Sequence, residues 1–240
     1  MLVEVCANSL ESAMNAQKAG ADRIELCAEL AVGGITPSYG LLKSIKANLK
    51  IPVHVLIRPR SGDFTYSEGE FDIMKRDIRL CVELGFDGIV SGILHKDLTL
   101  DVERTKALID LSGGLKFTFH RAFDWVLDPL ATMKKLETLG VDYILSSGQQ
   151  NSALQGIGLL KELNEKTTTC AIMPGGGIHA DNVNHFKQEG FGAVHLSGTK
   201  YIERLDVDPT VSMNSPSFLS DQGVFVSNVD AIKNVLKEVK

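Results

Sequence analysis

Lys116-Phe117-Thr118-Phe119-His120-Arg121-Ala122-Phe123-Asp124 alternates for four residues and then turns charged. Alternation of this kind marks a strand with two different faces, and it places His120 on the side of Thr118. Asp128-Pro129 follows, with Asp as N-cap and Pro at the first helical position. The stretch reads strand, charged turn, helix. Ligands of α/β proteins collect at the carboxyl ends of strands. His120, Arg121 and Asp124 at this end are therefore either a site or a salt-bridged turn that pins the strand.

The same unit recurs on both sides. Strands are expected at 2–6, 23–27, 53–57, 88–92, 143–148, 168–173 and 193–198, with the quoted stretch as the fifth of eight. Helices are expected between them, including 71–84 and 153–164. Four phrases, Ala19-Gly20-Ala21-Asp22, Leu84-Gly85-Phe86-Asp87, Leu139-Gly140-Val141-Asp142 and Glu189-Gly190-Phe191-Gly192, each end a helix on Gly and lead into the next strand. Eight alternating units in 240 residues predict an α/β fold, a closed (β/α)8 TIM-type barrel. An open doubly wound sheet is disfavoured, because no GxGxxG follows the first strand. The barrel is expected over residues 1–200. Residues 201–240 are expected to be an extension packed on it, extended or partly disordered over 201–226 and ending in a closing helix over 229–239.

Composition narrows the function. Hydrophobic residues make up 44% and charged residues 23%, as in a globular protein with a sizeable core. A net charge of −5 without any Lys/Arg-rich run gives no support to nucleic-acid binding. No apolar run reaches the roughly 18 to 20 residues of a membrane helix. The opening Met1-Leu2-Val3-Glu4-Val5-Cys6 reads as a strand rather than a signal peptide. Four cysteines without a CxxC fit reduced thiols in the cytoplasm. A homodimer is compatible with the fold, though no stretch marks an interface.

Strand parity nominates the residues of the barrel mouth: Glu4 and Cys6, Glu25 and Cys27, Arg58 and Arg60, Thr118 and His120, His195 and Ser197. These charges form either an ion-pair network that holds the barrel or a site for a ligand. Glu25, His120 and Asp124 are the candidate catalytic groups, with Glu4, Arg58, Arg60 and Arg121 as candidate anion-binding groups. Gly175-Gly176-Gly177 before a helix, with Ser197 and Gly198 after the eighth strand, offers backbone N–H groups for an anion, and His195 in that strand is a further candidate for binding it. Tight turns alone would also explain those glycines. Cys6 and Cys27 end adjacent strands at similar depth and would suit Cu(I), which prefers sulfur; alternatively they are small buried hydrophobes. A segment at 61–70, containing Gly62-Asp63-Phe64, is long enough for a lid or binding loop.

The chain resembles the CutC family. The resemblance is carried by Glu4-Val5-Cys6, Gly20-Ala21-Asp22-Arg23-Ile24-Glu25-Leu26-Cys27, Gly33-Gly34-Ile35-Thr36-Pro37-Ser38, Ile57-Arg58-Pro59-Arg60 with Gly62-Asp63-Phe64, Phe119-His120-Arg121-Ala122-Phe123-Asp124 and Ser147-Gly148-Gln149. It implies a cytoplasmic (β/α)8 barrel of copper homeostasis that binds Cu(I), with Cys6 and Cys27 where the family's proposed copper ligands lie. The alternative is a barrel enzyme acting on a small anionic, phosphorylated metabolite. The expected partners are thus a metal ion or a small anionic ligand, with neither nucleic acid nor membrane.

Overall fold

The protein is described from a computed structural model that covers residues 1–214 and 222–240. Eight parallel strands, β1 Leu2–Ala7, β2 Arg23–Leu26, β3 Val53–Leu56, β4 Gly88–Ser91, β5 Lys116–Phe119, β6 Tyr143–Ser146, β7 Ala171–Pro174 and β8 Ala193–Leu196, alternate with helices. The helices are α1 Leu10–Ala19, α2 Tyr39–Asn48, α3 Glu68–Glu83, α4 Val102–Leu111, α5 Pro129–Leu139, α6 Ile157–Lys166, α7 Ala180–Gln188 and α8 Val229–Val239. The strands pair in the order β7-β6-β5-β4-β3-β2-β1-β8. A parallel bridge between Gly175 and His195 joins the two ends, so the sheet closes into the expected (β/α)8 barrel.

The recurring Gly-x-Asp phrase does more than end helices. The Asp22 carboxylate accepts from Val3 N at 2.9 Å, Asp87 from Val53 N at 2.9 Å and Asp142 from Phe117 N at 2.8 Å. Each aspartate thus satisfies a backbone donor at the amino end of the preceding strand, where the ladder has none to offer. Ser9, Ser38, Asp101 and Asp128 accept from backbone N–H groups in the first turns of their helices.

Some boundaries differ from expectation for local reasons. The third helix starts at Glu68 rather than 71, because Ser67 and Glu70 form a reciprocal capping box. The seventh strand starts at Ala171 rather than 168. Thr167, Thr168 and Thr169 wrap the Glu137 carboxylate instead, with Thr169 N at 2.9 Å. The sixth helix starts at Ile157 rather than 153, because Gly148 and Gly156 pack backbone against backbone and Ala153 N donates to Gly176 O at 2.9 Å.

The extension is ordered where it is described. β9, Thr199–Glu203, pairs antiparallel with β10, Gly223–Ser227, setting Tyr201 opposite Phe225. The hairpin is tied to the first helix, since Ser227 N donates to Ser12 Oγ at 3.1 Å and Asn15 Nδ2 donates to Ser227 O at 3.1 Å. Part of the expected irregular stretch, 215–221, lies outside the described residues. The final helix buries Ile232, Val235, Leu236 and Val239 between the first and seventh helices, taking the place of the eighth outer helix.

The main core lies between strands and helices. Inside the barrel the apolar groups form two small clusters, Cys6, Cys27, Leu56 and Val90 on one side and Leu145, Met173 and Ala193 on the other. Buried charge fills the space between them.

Candidate functional site

Glu4 is the hub of that buried charge. Strand register sets it opposite Arg23 on one side and His195 on the other. Its Oε2 accepts from Arg23 Nε at 2.6 Å and its Oε1 pairs with His195 Nδ1 at 2.8 Å. Burial alone would raise the Glu4 carboxyl; the His195 hydrogen bond and the Arg23 charge outweigh it and hold it at about 2. Burial would lower His195, yet the Glu25 and Glu4 carboxylates lift it above the ordinary imidazole value. Arg23 also lies 4.3 Å over the Tyr143 ring on the far wall, so the network spans the barrel.

One layer closer to the mouth, Cys6 stands opposite Glu25. Its Sγ donates to Glu25 Oε1 at 3.5 Å and touches Cys27 Sγ at 3.5 Å. The hydrogen bond to Cys27, burial and the nearby Glu25 push the Cys6 thiol well above its usual value. Burial, reinforced by Glu4, also raises Glu25, whose Oε2 has no hydrogen-bond partner. A Cys6 sulfur, a Glu25 oxygen and a His195 nitrogen lie within 4.8 Å of one another, a set able to hold a metal ion. All four cysteines are free thiols.

Above this floor opens a cavity of about 540 Å³, with Arg58, His120 and Arg121 on its walls. Arg58 is buried and spends its fork on backbone: NH1 donates to Val32 O at 2.8 Å and Gly34 O at 2.9 Å, and NH2 donates to Gly62 O at 2.8 Å. It therefore staples the loops after the second and third strands while leaving its charge at the wall. His120 Nδ1 accepts from Ala122 N at 3.2 Å, and burial together with the Arg58 charge lowers the ring to about 3.

Arg121 and Asp124 lie in a short 3-10 turn, Arg121–Trp125. Asp124 is an anchor. It accepts from Ser146 Oγ at 2.6 Å, Ser147 N at 3.0 Å and Gln149 N at 3.2 Å, and from Arg121 Nε at 2.8 Å. These bonds fill its acceptor sites, so its place in the site is to position Arg121 and the 146–149 turn.

The other candidates separate. Gly176, Gly177 and Ser197 line the cavity. Gly175 is a packing glycine, since a Cβ there would stand 2.5 Å from Leu145, and Gly198 abuts Ile232. Arg60 points away, into an outer cleft, where Nε meets Glu70 at 2.5 Å and NH2 donates to Thr65 O at 2.9 Å. The third strand ends at Leu56, and beyond it Pro59 removes the alternation that parity needs. Phe64 and Trp125, which sequence parity could not nominate because both lie in loops, form an edge-to-face pair at 4.8 Å on the rim.

The fold and this mouth define a (β/α)8 barrel that carries a charged, thiol-bearing pocket at the carboxyl ends of its strands. The sequence model of the CutC family matches residues 1–200, and the chain belongs to that family. A solved structure from Streptococcus agalactiae, named as the copper homeostasis protein CutC, is 38% identical with a TM-score of 0.78, covering 82% of this chain and 98% of that one. Thiamine phosphate pyrophosphorylase from Pyrococcus furiosus shares the fold at 13% identity and TM-score 0.59, over 99% of this chain and 95% of that one. So does 3-hexulose-6-phosphate synthase from Salmonella typhimurium, at 18% identity and TM-score 0.53, over 82% and 88%. Among the described residues no helix is long and apolar enough to cross a membrane.

Proposed function

We propose that this protein acts in cytoplasmic copper homeostasis by holding Cu(I) between the thiolates of Cys6 and Cys27, with His195 as the further donor. The observation that carries the reading is the contact of the two sulfurs at 3.5 Å, with Cys6 on the cavity floor and Cys27 buried beside it. Soft sulfur pairs suit Cu(I), and a cytoplasm keeps such thiols reduced. His195 is held through Nδ1 by Glu4, in the way a second-layer carboxylate orients a metal-binding imidazole. Metal entry has to displace the thiol protons of Cys6 and Cys27 and to leave His195 Nε2 without a proton, and the incoming cation offsets the thiolate charge that burial and Glu25 otherwise oppose at Cys6. The name of the Streptococcus agalactiae relative points the same way.

Anaerobic Cu(I) titration against a competing chromophoric chelator tests the reading. One-to-one binding is expected, weakened roughly 100-fold, or about 2.7 kcal/mol, in Cys6→Ser/Cys27→Ser. Equal affinity in the folded double variant would overturn it.

A further inference from the structure

The wall of the mouth around the start of the 121–125 turn carries groups that a copper ion on the floor does not use. A cavity of about 540 Å³ is far larger than one ion needs; it falls in the range of small-molecule sites. His120 supplies a directed donor. Its Nδ1 accepts the Ala122 N–H, so the proton of the neutral ring sits on Nε2. That Nε2 is buried without an acceptor in a residue only 5% exposed. A buried donor left unpaired costs about 1–3 kcal/mol, which an anionic oxygen would recover. The low imidazole value keeps this donor neutral, so it does not titrate away near neutral pH.

Arg121 supplies the charge. Asp124 holds Nε at 2.8 Å and Ser147 holds NH2 at 2.7 Å, while NH1 has no acceptor among the described residues. NH1 lies 3.6 Å from where a Cβ on Gly176 would stand, so the bare glycine keeps the guanidinium open. A fixed guanidinium suits phosphate or carboxylate oxygens. Phe64 packs on the His120 ring at 4.9 Å and on Trp125 at 4.8 Å, giving the same wall an apolar side.

We propose that this wall binds a small organic anion, its phosphate or carboxylate head at His120, Arg121 and Gly176 and its apolar body against Phe64 and Trp125. The inference is independent of the copper reading and needs no metal.

Trp125 is the chain's single tryptophan, so its fluorescence reports on this cavity. Metal-free protein, kept with a chelator, is titrated with phenyl phosphate, phenylacetate, inorganic phosphate and benzyl alcohol. One of the two aromatic anions is expected to bind at least roughly tenfold more tightly than benzyl alcohol and inorganic phosphate, and the tighter of the two identifies the head group. Arg121→Gln is expected to weaken that anion about tenfold while leaving benzyl alcohol unchanged. No saturable change with either anion, or equal binding of benzyl alcohol, overturns the proposal on the unaltered protein. Full anion affinity in Arg121→Gln overturns it as well. Copper affinity is read in a separate titration, so either result stands without the other.

Discussion

Cys6 and Cys27 touch sulfur to sulfur at 3.5 Å although strand pairing sets Cys6 opposite Glu25. Cys27 lies one residue past the end of the second strand, where its side chain is placed by what packs behind it. Gly34 does that packing: φ is +82°, and a Cβ there would stand 2.8 Å from Leu56 Cδ2 and 3.2 Å from Cys27 Cβ. Gly34→Ala is therefore expected to cost about 1–3 kcal/mol in urea unfolding. It should also weaken Cu(I) about tenfold by moving Cys27. A variant with unchanged copper affinity would show that the sulfur contact does not set the binding.

Glu4→Gln removes one charge from a buried network, leaving Arg23 without its ion-pair partner and His195 with only the more distant Glu25 carboxylate. Breaking a buried pair on one side costs about 3–5 kcal/mol. Denaturant unfolding should register that loss, and imidazole NMR should show His195 losing its proton at lower pH. A loss below about 1 kcal/mol would mean that water reaches the network.

His54 and His120 are both held neutral by burial, at about 4 and about 3, with Arg23 adding to the first and Arg58 to the second. Their folded values lie below their unfolded ones, so the stability they confer is complete above the ordinary imidazole value and is lost as pH falls through it. His195 and Glu25 are both raised, so they act in the opposite sense and make the two-histidine slope an upper limit. Stability should fall between pH 6.5 and 5 with a limiting slope of about 2.7 kcal/mol per pH unit, two protons taken up on unfolding. His54→Gln should halve that slope; an unchanged slope would place the proton uptake elsewhere.

Asp124→Asn retains size but weakens the bonds to Ser146, Ser147, Gln149 and Arg121. Hydrogen exchange of the Ser147 and Gln149 amides should accelerate, with a stability loss of about 2–3 kcal/mol. Protection equal to that of the unaltered protein would remove Asp124 as the anchor of this turn.

The barrel was legible because each unit repeats the same local chemistry: an N-capping side chain, a helical stripe, a glycine end, then a short apolar strand. Side-chain direction was legible only within strands. Glu4, Cys6, Glu25 and His195 meet inside the barrel because register carries parity across neighbouring chains. Past the strand ends that rule has no force, and Arg58 and Arg60, both nominated by it, diverge to backbone carbonyls and to an outer cleft. Burial of Phe64 against His120 depends on where the 61–70 loop folds back, a long-range contact that no local pattern encodes. The Asp22, Asp87 and Asp142 ties were present in the repeated phrases, but their acceptor role shows only when the preceding strand's amides are in view.

The parallel bridge between Gly175 and His195 gives one residue two duties. His195 fastens the seam of the cylinder through its backbone and presents its ring to the floor of the mouth. A guest that grips the ring therefore holds the same residue whose backbone closes the cylinder.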